Sequence, residues 1–452
     1  MSKLGIGLAA AAGVVVVGVL GTSYMIGGKI QDGFTEGVSR MSSKPLSIEL
    51  NSYERGLFSS TAQTTWTFGG GEEPKRFKAT HKISHGPLPK GHMAEVDTQF
   101  ALNEGADEDL VKALNGRSPL LWNTQVGWNK SSTHSLTSPE FTGKFDESQV
   151  NWGGMQAKFE LSAGLKNIKG NASFPQLLSH NPEQSNVEIK GSSIHFDVQK
   201  PEGQEFWVGP VGMAIASLDA TPKEDGKPVK LQDLKLDTDT VLKGEVVNVL
   251  LNTQIKQVQA GPDSASDVAL DFAFNNMDAN WINQITKWGQ EENPEPEEMR
   301  MKLMQSVPQL LARKPEFEIK RATMRTADGL SEFSALLAYD GDGSGSLSPA
   351  AIKASLKANL PKKVLESLIG SRVRKGYVET LEEFEQEIDE KELQQVVTEN
   401  VKERIDALVQ AGVLLDQNGN WTTQMAYGAG KIELNGKPVE GDSLQTLMGA
   451  LP

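Results

Sequence analysis

Residues 46–68 read LSIELNSYERGLFSSTAQTTWTF. Leu46, Ile48 and Leu50 alternate with polar residues. After Tyr53-Glu54-Arg55-Gly56 the alternation resumes with Phe58, Ser60, Ala62, Thr64, Trp66 and Phe68. In an extended chain successive side chains point to opposite faces, so a period of two marks a strand with one apolar face. The stretch predicts two strands around a glycine-containing bend. Phe77, Ala79, His81 and Ile83 continue the habit until Gly86-Pro87 ends it.

Working outward, a short helix is expected near Asp107–Leu114, followed by a β-rich region to about residue 273. Its clearest segments are Gln125–Lys130, Gln156–Leu161, Val187–Val198, Val211–Leu218 and Leu242–Val258. Polar turns at Asn181-Pro182, Pro201-Glu202-Gly203 and Glu224-Asp225-Gly226 separate them. Helical spacing appears at 279–289 and from Pro294 to Arg313, the latter with Glu295, Glu297 and Glu298 in its first turn. Strands return at Pro315–Arg325 and Gly329–Asp340, joined through Thr326-Ala327-Asp328-Gly329 as a hairpin. Helices are expected to dominate from Pro349 to Val409, with Phe384, Ile388, Val397, Val401, Ile405 and Leu408 on an apolar face. Trp421–Ala426, Lys431–Leu434 and the Asn435-Gly436 turn predict a closing hairpin.

The chain has 452 residues, 59 acidic against 45 basic, and a net charge of −14. That balance argues against nucleic acid as a partner, because neutralising phosphates needs basic surface. There is no cysteine, which excludes disulfides, thiolate metal sites and cysteine nucleophiles. Leu4 to Ile26, LGIGLAAAAGVVVVGVLGTSYMI, carries no charged residue. As a helix its 23 residues would run for roughly 35 Å, enough for a hydrocarbon core of about 30 Å. The expectation is a single membrane anchor holding the rest of the chain in the periplasm of a bacterial inner membrane. The alternative is a cleaved signal peptide with Val19 and Gly21 before the cut. The expected organisation is an anchor at 1–28, a linker at 29–44, a β-rich region at 45–275, and a mixed helix/strand region at 276–452 completing the same body.

Several short motifs carry a resemblance. Tyr53-Glu54-Arg55-Gly56-Leu57-Phe58-Ser59-Ser60 and His85-Gly86-Pro87 come first. Ala312-Arg313-Lys314-Pro315-Glu316, Thr326-Ala327-Asp328-Gly329 and Ile432-Glu433-Leu434-Asn435-Gly436-Lys437-Pro438 follow. In this order the sequence resembles the YdgA-like family of bacterial envelope proteins, which has no assigned activity. The resemblance implies a single-pass inner-membrane protein with a periplasmic body and offers no catalytic residues to carry over. A looser likeness to AsmA-like envelope proteins, whose curved sheets are thought to handle lipid, is analogy at the level of fold.

The sharpest chemical motif is Asp340-Gly341-Asp342-Gly343-Ser344-Gly345-Ser346-Leu347-Ser348. It matches positions 1, 3, 5 and 6 of a calcium loop, making Asp340, Asp342, Ser344 and Ser346 candidate ligands. Position 12, where calcium loops carry a bidentate carboxylate, is Ala351, and the alternative is an ordinary turn. His81 and His85 lie four apart; on a strand that is about 13 Å, too far to share a zinc ion. The six histidines are therefore expected at the surface or in turns. Trp122, Trp128 and Trp152 are expected in the core, or else lining a groove. No hydrolase or nucleotide-binding signature is found, although paired carboxylates of a glycosidase need not be neighbours in sequence. Residues 378–404 hold ten acids and three bases, half the net charge of the chain. That run reads as the solvated face of a helix or as a dock for a basic partner.

The expected fold class is α+β and β-rich: an N-terminal transmembrane helix, then a large curved antiparallel sheet or sandwich with helical insertions mainly in the C-terminal third. The expected function is a non-enzymatic envelope binding or scaffold role that handles lipid or an envelope-protein client. The alternatives are an envelope glycan hydrolase and an accessory partner of a motility or secretion assembly. No cofactor beyond weakly held calcium is expected.

Overall fold

The computed structural model describes residues 46–439, apart from 56–58, 70–74, 86–91, 103–107, 146, 182–184, 223–225, 290–294 and 384–388. The expected fold class needs correction. Strands hold 59% and helices 23% of the structure, so this is a sheet protein with attached helices. No helix among the described residues is long and apolar enough to cross a membrane. The longest, at Lys362–Glu383, has nine charged side chains among its 22 residues. Leu4–Ile26 and the linker lie outside the described residues. The chain divides into two compact units, one up to Lys235 without 204–206 and the other from Leu236 onward with 204–206.

The first unit contains β1 (Leu46–Arg55), β2 (Ser59–Phe68), β3 (Lys75–His85), β4 (Ala94–Leu102), α1 (Glu108–Leu114), β5 (Leu121–Val126), β6 (Ser132–Ser138), β7 (Phe141–Phe145), β8 (Ser148–Trp152), β9 (Met155–Leu161), β10 (Asn167–His180), β11 (Ser185–Gln199) and β12 (Gly209–Pro222). β13 (Val229–Lys243) carries the chain into the second unit. The ladders among the described residues of this unit are antiparallel. Strands β1 to β6 pair in order, β6 pairs β9, and β9 to β12 continue. β8 pairs both β7 and β10.

Directly paired residues share a face, so the register traces the core. Ala62, His81, Thr98, Trp122, Leu136, Ala157 and Ala172 pair in turn from β2 to β10, and all are buried. The same row continues to Ile194 and Met213, which are only half-buried. A second row, Val96, Thr124, His134, Phe159, Gly170, Phe196 and Val211, behaves alike, from fully buried His134 to exposed Val211. One apolar face thus starts as a filled core and opens at β11 and β12.

The second unit contains β14 (Val246–Ala260), β15 (Asp263–Asp278), α2 (Ala279–Trp288), α3 (Pro296–Leu311), β16 (Glu316–Thr326), β17 (Gly329–Tyr339), β18 (Ile352–Pro361), α4 (Lys362–Glu383), α5 (Glu390–Gln410), β19 (Leu415–Gln417), β20 (Asn420–Gly428), β21 (Lys431–Leu434) and β22 (Lys437–Pro438). Strands β14 to β18 pair in order, β18 pairs β20, and β20 pairs β19 and β21. The strand at 352–361 replaces the helix expected there.

Asp278 joins sheet to helices. Its buried carboxylate caps α2 by accepting from the Trp281 amide at 2.8 Å, and it also accepts from Gln309 Nε2 at 2.8 Å and Arg313 Nε at 3.1 Å. Arg313 reaches Glu245 as well. Asp278→Ala removes a cap and leaves two side-chain donors short of an acceptor. A loss of about 2 kcal/mol is expected in urea unfolding, and Asp278→Asn should recover part of it.

Candidate functional site

In the second unit the alternation of six strands falls into register. Val249, Phe274, Phe317, Leu337, Ala354 and Tyr427 form one row of direct pairs across β14, β15, β16, β17, β18 and β20. Leu251, Phe272, Ile319, Ala335, Leu356 and Met425 form the next. Thr253, Leu270, Ala322, Phe333, Ala358 and Thr423 form a third. A bulge between Ile319 and Ala322 keeps both on this face. The three rows contain no charged residue. Charges collect on the opposite face, where Arg321 meets Asp271 at 2.8 Å and Glu318, Lys353 and Lys357 take paired positions. None of the residues in the three rows is buried: Leu337 is 53% exposed and Phe274 37%. The Phe317 ring lies 5.0 Å from Phe274 and 5.8 Å from Phe272. A sheet face this apolar requires a cover.

Helices cover one end. Met425 and Trp421 on β20 and Leu434 on β21 pack with Ile369 and Val373 of α4 and with Leu393, Val397, Ile405 and Leu408 of α5. Arg374 of α4 clamps Glu390 of α5 with two bonds of 2.7 and 2.8 Å. Between the helices lies a cleft of about 710 Å³. Its apolar wall is Gly370, Val397, Val401, Ile405 and Trp421, and its charged lining is Lys362, Arg374, Lys402, Glu366 and Asp406. Lys362 sits 4.7 Å from the Trp421 ring centre and pairs with Asp416.

The sequence-predicted residues fall elsewhere. Asp340 follows β17, but its two oxygens are taken by Lys314 at 2.9 Å and Lys353 at 2.6 Å. Hydrogen bonds and charge from these lysines hold its carboxyl down at about 2. Asp342 Oδ1 accepts from the Ser344 amide at 2.9 Å, Ser344 Oγ accepts from the Ser346 amide at 3.3 Å, and the Ser346 carbonyl accepts from the Tyr339 hydroxyl. The loop is an ion-pair hub followed by a self-closed turn, and two ammonium groups stand where a dication would need open carboxylate oxygens. Among the described residues no group of three or more His, Asp or Glu is arranged to hold a metal. Of the tryptophans, Trp122 and Trp152 are core and Trp128 is 59% exposed. Tyr53 packs on the first unit's core, while Gly56–Phe58, Gly86-Pro87, Phe384 and Ile388 lie outside the described residues.

Two histidines depart from the surface placement expected of them. His81 is buried, with Nε2 2.8 Å from Thr64 Oγ1 and Nδ1 2.8 Å from Thr98 Oγ1. His134 is fully buried. Trp122 Nε1 donates to its Nδ1 at 3.2 Å, Thr124 Oγ1 lies 3.0 Å from the same nitrogen, and Ser132 Oγ is 2.8 Å from Nε2. Indole nitrogen only donates, so Nδ1 of His134 must accept and the proton sits on Nε2. Burial pushes His81 down to about 4 and His134 to about 3. Both are neutral structural groups. His81 shares its face with Ala79 and Ile83, and that parity was the signal for an inward position.

The profile of the family described as "Bacterial protein of unknown function (DUF945)" matches residues 1–441. An uncharacterised protein of Haemophilus influenzae is 20% identical over 252 residues, covering 52% of this chain and 68% of that protein. No solved structure matches the chain significantly. The chain belongs to DUF945, a family of bacterial proteins whose function is unknown.

Proposed function

We propose that this chain is a non-enzymatic envelope protein that binds the hydrocarbon chains of lipid on the open face of its second unit. The observation that carries the reading is the segregation of charge: three rows of paired side chains across six strands without a charge, on a sheet whose other face is charged. Protein interfaces bring a polar rim and a hydrogen bond for roughly every 100–200 Å². These rows offer few donors or acceptors, so they complement hydrocarbon better than a folded client. Placement in the envelope is part of the same reading. It is supported by the uncharged run at 4–26 and by the motifs shared with YdgA-like proteins.

Lipid extraction and mass spectrometry of the purified chain are expected to recover bound lipid, and a fluorescent fatty acid should bind and be displaced by palmitate. Leu337→Glu places a charge in the middle of the face at an exposed position, so folding should survive. It is expected to weaken binding at least tenfold, because a carboxylate there must be desolvated against the chain. Ser334→Glu, on the opposite face, should change little. Equal binding by Leu337→Glu and the parent chain would refute the reading.

A further inference from the structure

A fourth row continues the apolar face beyond Phe333 and Ala358. Met324 pairs directly with Ser331 and Leu360 with Trp421. The β17–β18 register, which matches Glu332 with Asn359, brings Ser331 opposite Leu360. Two polar atoms of this row, Ser331 Oγ and Trp421 Nε1, are buried with no hydrogen-bond partner among the described residues. Ser331 itself is only 8% exposed. A hydroxyl or an indole N–H enclosed in this way costs the free chain stability. Neither is sealed off by rigid groups. Met324, beside Ser331, is 38% exposed and unbranched, so it can swing off the hydroxyl. Trp421 lines the α4–α5 cleft.

The chemistry of the row selects its complement. Indole nitrogen only donates, and a hydroxyl supplies one further donor, so together they call for acceptor oxygens. Two strand spacings, about 10 Å, separate the two backbones, close enough for one head group to meet both. The acceptor has no spare cation to pair with. Lys362 is held by Asp416 and Arg374 by Glu390, and Lys402 shares the cleft with Glu366 and Asp406. An anion placed here would lose its hydration without gaining a counter-charge. A neutral carbonyl or hydroxyl oxygen asks only for the hydrogen bonds that Ser331 and Trp421 leave unused.

Resting on the lipid-binding reading, we infer that the ligand is an uncharged long-chain acyl ester of the glyceride kind, its ester carbonyl accepting from Ser331 and its glycerol hydroxyls meeting Trp421. The acyl chain then runs along β17 over Phe333 and Ala335 to Leu337. Leu337 lies six residues beyond Ser331 on this strand, a distance of about 20 Å at about 3.4 Å per residue. Methylenes advance about 1.25 Å each for carbon–carbon bonds of about 1.5 Å, so a chain of about sixteen carbons fills that path.

The test uses probes that differ in single features: monopalmitoylglycerol, its ether counterpart hexadecylglycerol, which lacks the carbonyl, and palmitoyl lysophosphatidic acid, which adds a phosphate. Binding is measured below the micellar concentration of each. The parent chain is expected to prefer the ester to the ether about fivefold, the scale of one neutral hydrogen bond, and to bind the phosphate-bearing probe more weakly than the neutral ester. Ser331→Ala should abolish the ester preference and leave hexadecylglycerol binding intact. The same variant should raise the urea midpoint of the free chain, because it removes an unpartnered buried hydroxyl. Trp421→Phe, which keeps the ring, should weaken ester and ether alike. Leu337→Glu should also weaken both. Equal affinity of the parent chain for ester and ether overturns the inference while leaving the lipid-binding reading standing. So does an ester preference that survives Ser331→Ala, a lowered midpoint in that variant, or a tighter grip on palmitoyl lysophosphatidic acid. Failure of all three probes to bind, or their indifference to Leu337→Glu, overturns both.

Discussion

Lowering the pH from 7 to 5 is expected to destabilise the first unit by about 4 kcal/mol, through two residues. His81 and His134 titrate near 4 and 3 in the folded chain, against 6.5 when unfolded. Below pH 6.5 the unfolded chain takes up two protons that the folded chain refuses, so stability is lost as the pH falls through the window from 6.5 toward 4 and 3. Above 6.5 both states are neutral and the two residues contribute no slope. The cause is geometric as well as dielectric. His134 Nδ1 accepts from the Trp122 indole, and a proton placed on it would set two donors against each other. Urea midpoints at pH 7, 6 and 5, followed by tryptophan fluorescence, measure the effect. Trp66 reports on His81 through Thr64, to which its indole donates at 2.8 Å, and Trp122 reports on His134 directly. His134→Gln keeps an acceptor for Trp122 and a donor for Ser132 but cannot titrate, so its pH slope should fall to about half. A midpoint that stays flat between pH 6.5 and 5 would refute the linkage.

Much of the sheet was legible because each strand writes its own face. Leu46, Ile48, Ala62, Thr64 and Trp66 alternate in the sequence and are buried in the structure. The Thr326–Gly329 turn joins β16 to β17 as expected. β18 was not legible. Ile352, Ala354, Leu356, Ala358 and Leu360 alternate, but alanine, leucine and lysine favour helix, and only pairing with β17 and β20 on both sides makes this segment a strand. The expected strand at Gln125–Lys130 begins earlier, at Leu121, and turns at Gly127, which donates to Ser131 O. The long segment at Leu242–Val258 is broken by a turn at Gly244-Glu245, where Gly244 takes a φ of +62° that glycine adopts freely.

The candidate site was legible only in part. Alternation at Phe272/Phe274 and Leu337/Phe333 shows an apolar face, but its exposure depends on what the remaining chain covers, which no local pattern records. The α4–α5 cleft forms where Gly370 passes beside Val397 and Val401, close enough that a Cβ there would stand in ordinary contact with them at 3.6 and 3.5 Å, and that approach joins residues about thirty apart. The Asp340 loop misled for a related reason: its spacing matches a calcium loop, while Lys314 and Lys353, which occupy its carboxylate, arrive from β16's approach and from β18.

Gly170→Ala is expected to destabilise the first unit by about 3 kcal/mol, near the upper end for overpacking a core. A Cβ at Gly170 would stand 2.5 Å from Phe159 Cβ and 2.7 Å from the Lys158 carbonyl, and backbone on a central strand cannot yield as the tip of a side chain can. The only relief is to move Phe159, which is fully buried and stacks on His134 with ring centres 4.6 Å apart and planes within 16°. Glycine here lets the Phe159 ring hold the imidazole dry, so the cost and the acid sensitivity are coupled. Displacing Phe159 admits solvent to His134 and raises its pKa toward the ordinary value, which shrinks its share of the stability lost on acidification. Gly170→Ala should therefore be markedly less stable at pH 7 and show a shallower pH slope, and its effect should add less than fully to that of His134→Gln. Hydrogen exchange of β9 and β10 amides, compared at pH 7 and 5 in the two single variants and the double, resolves the coupling. An additive double variant would mean that Phe159 and His134 are packed independently despite their stacking.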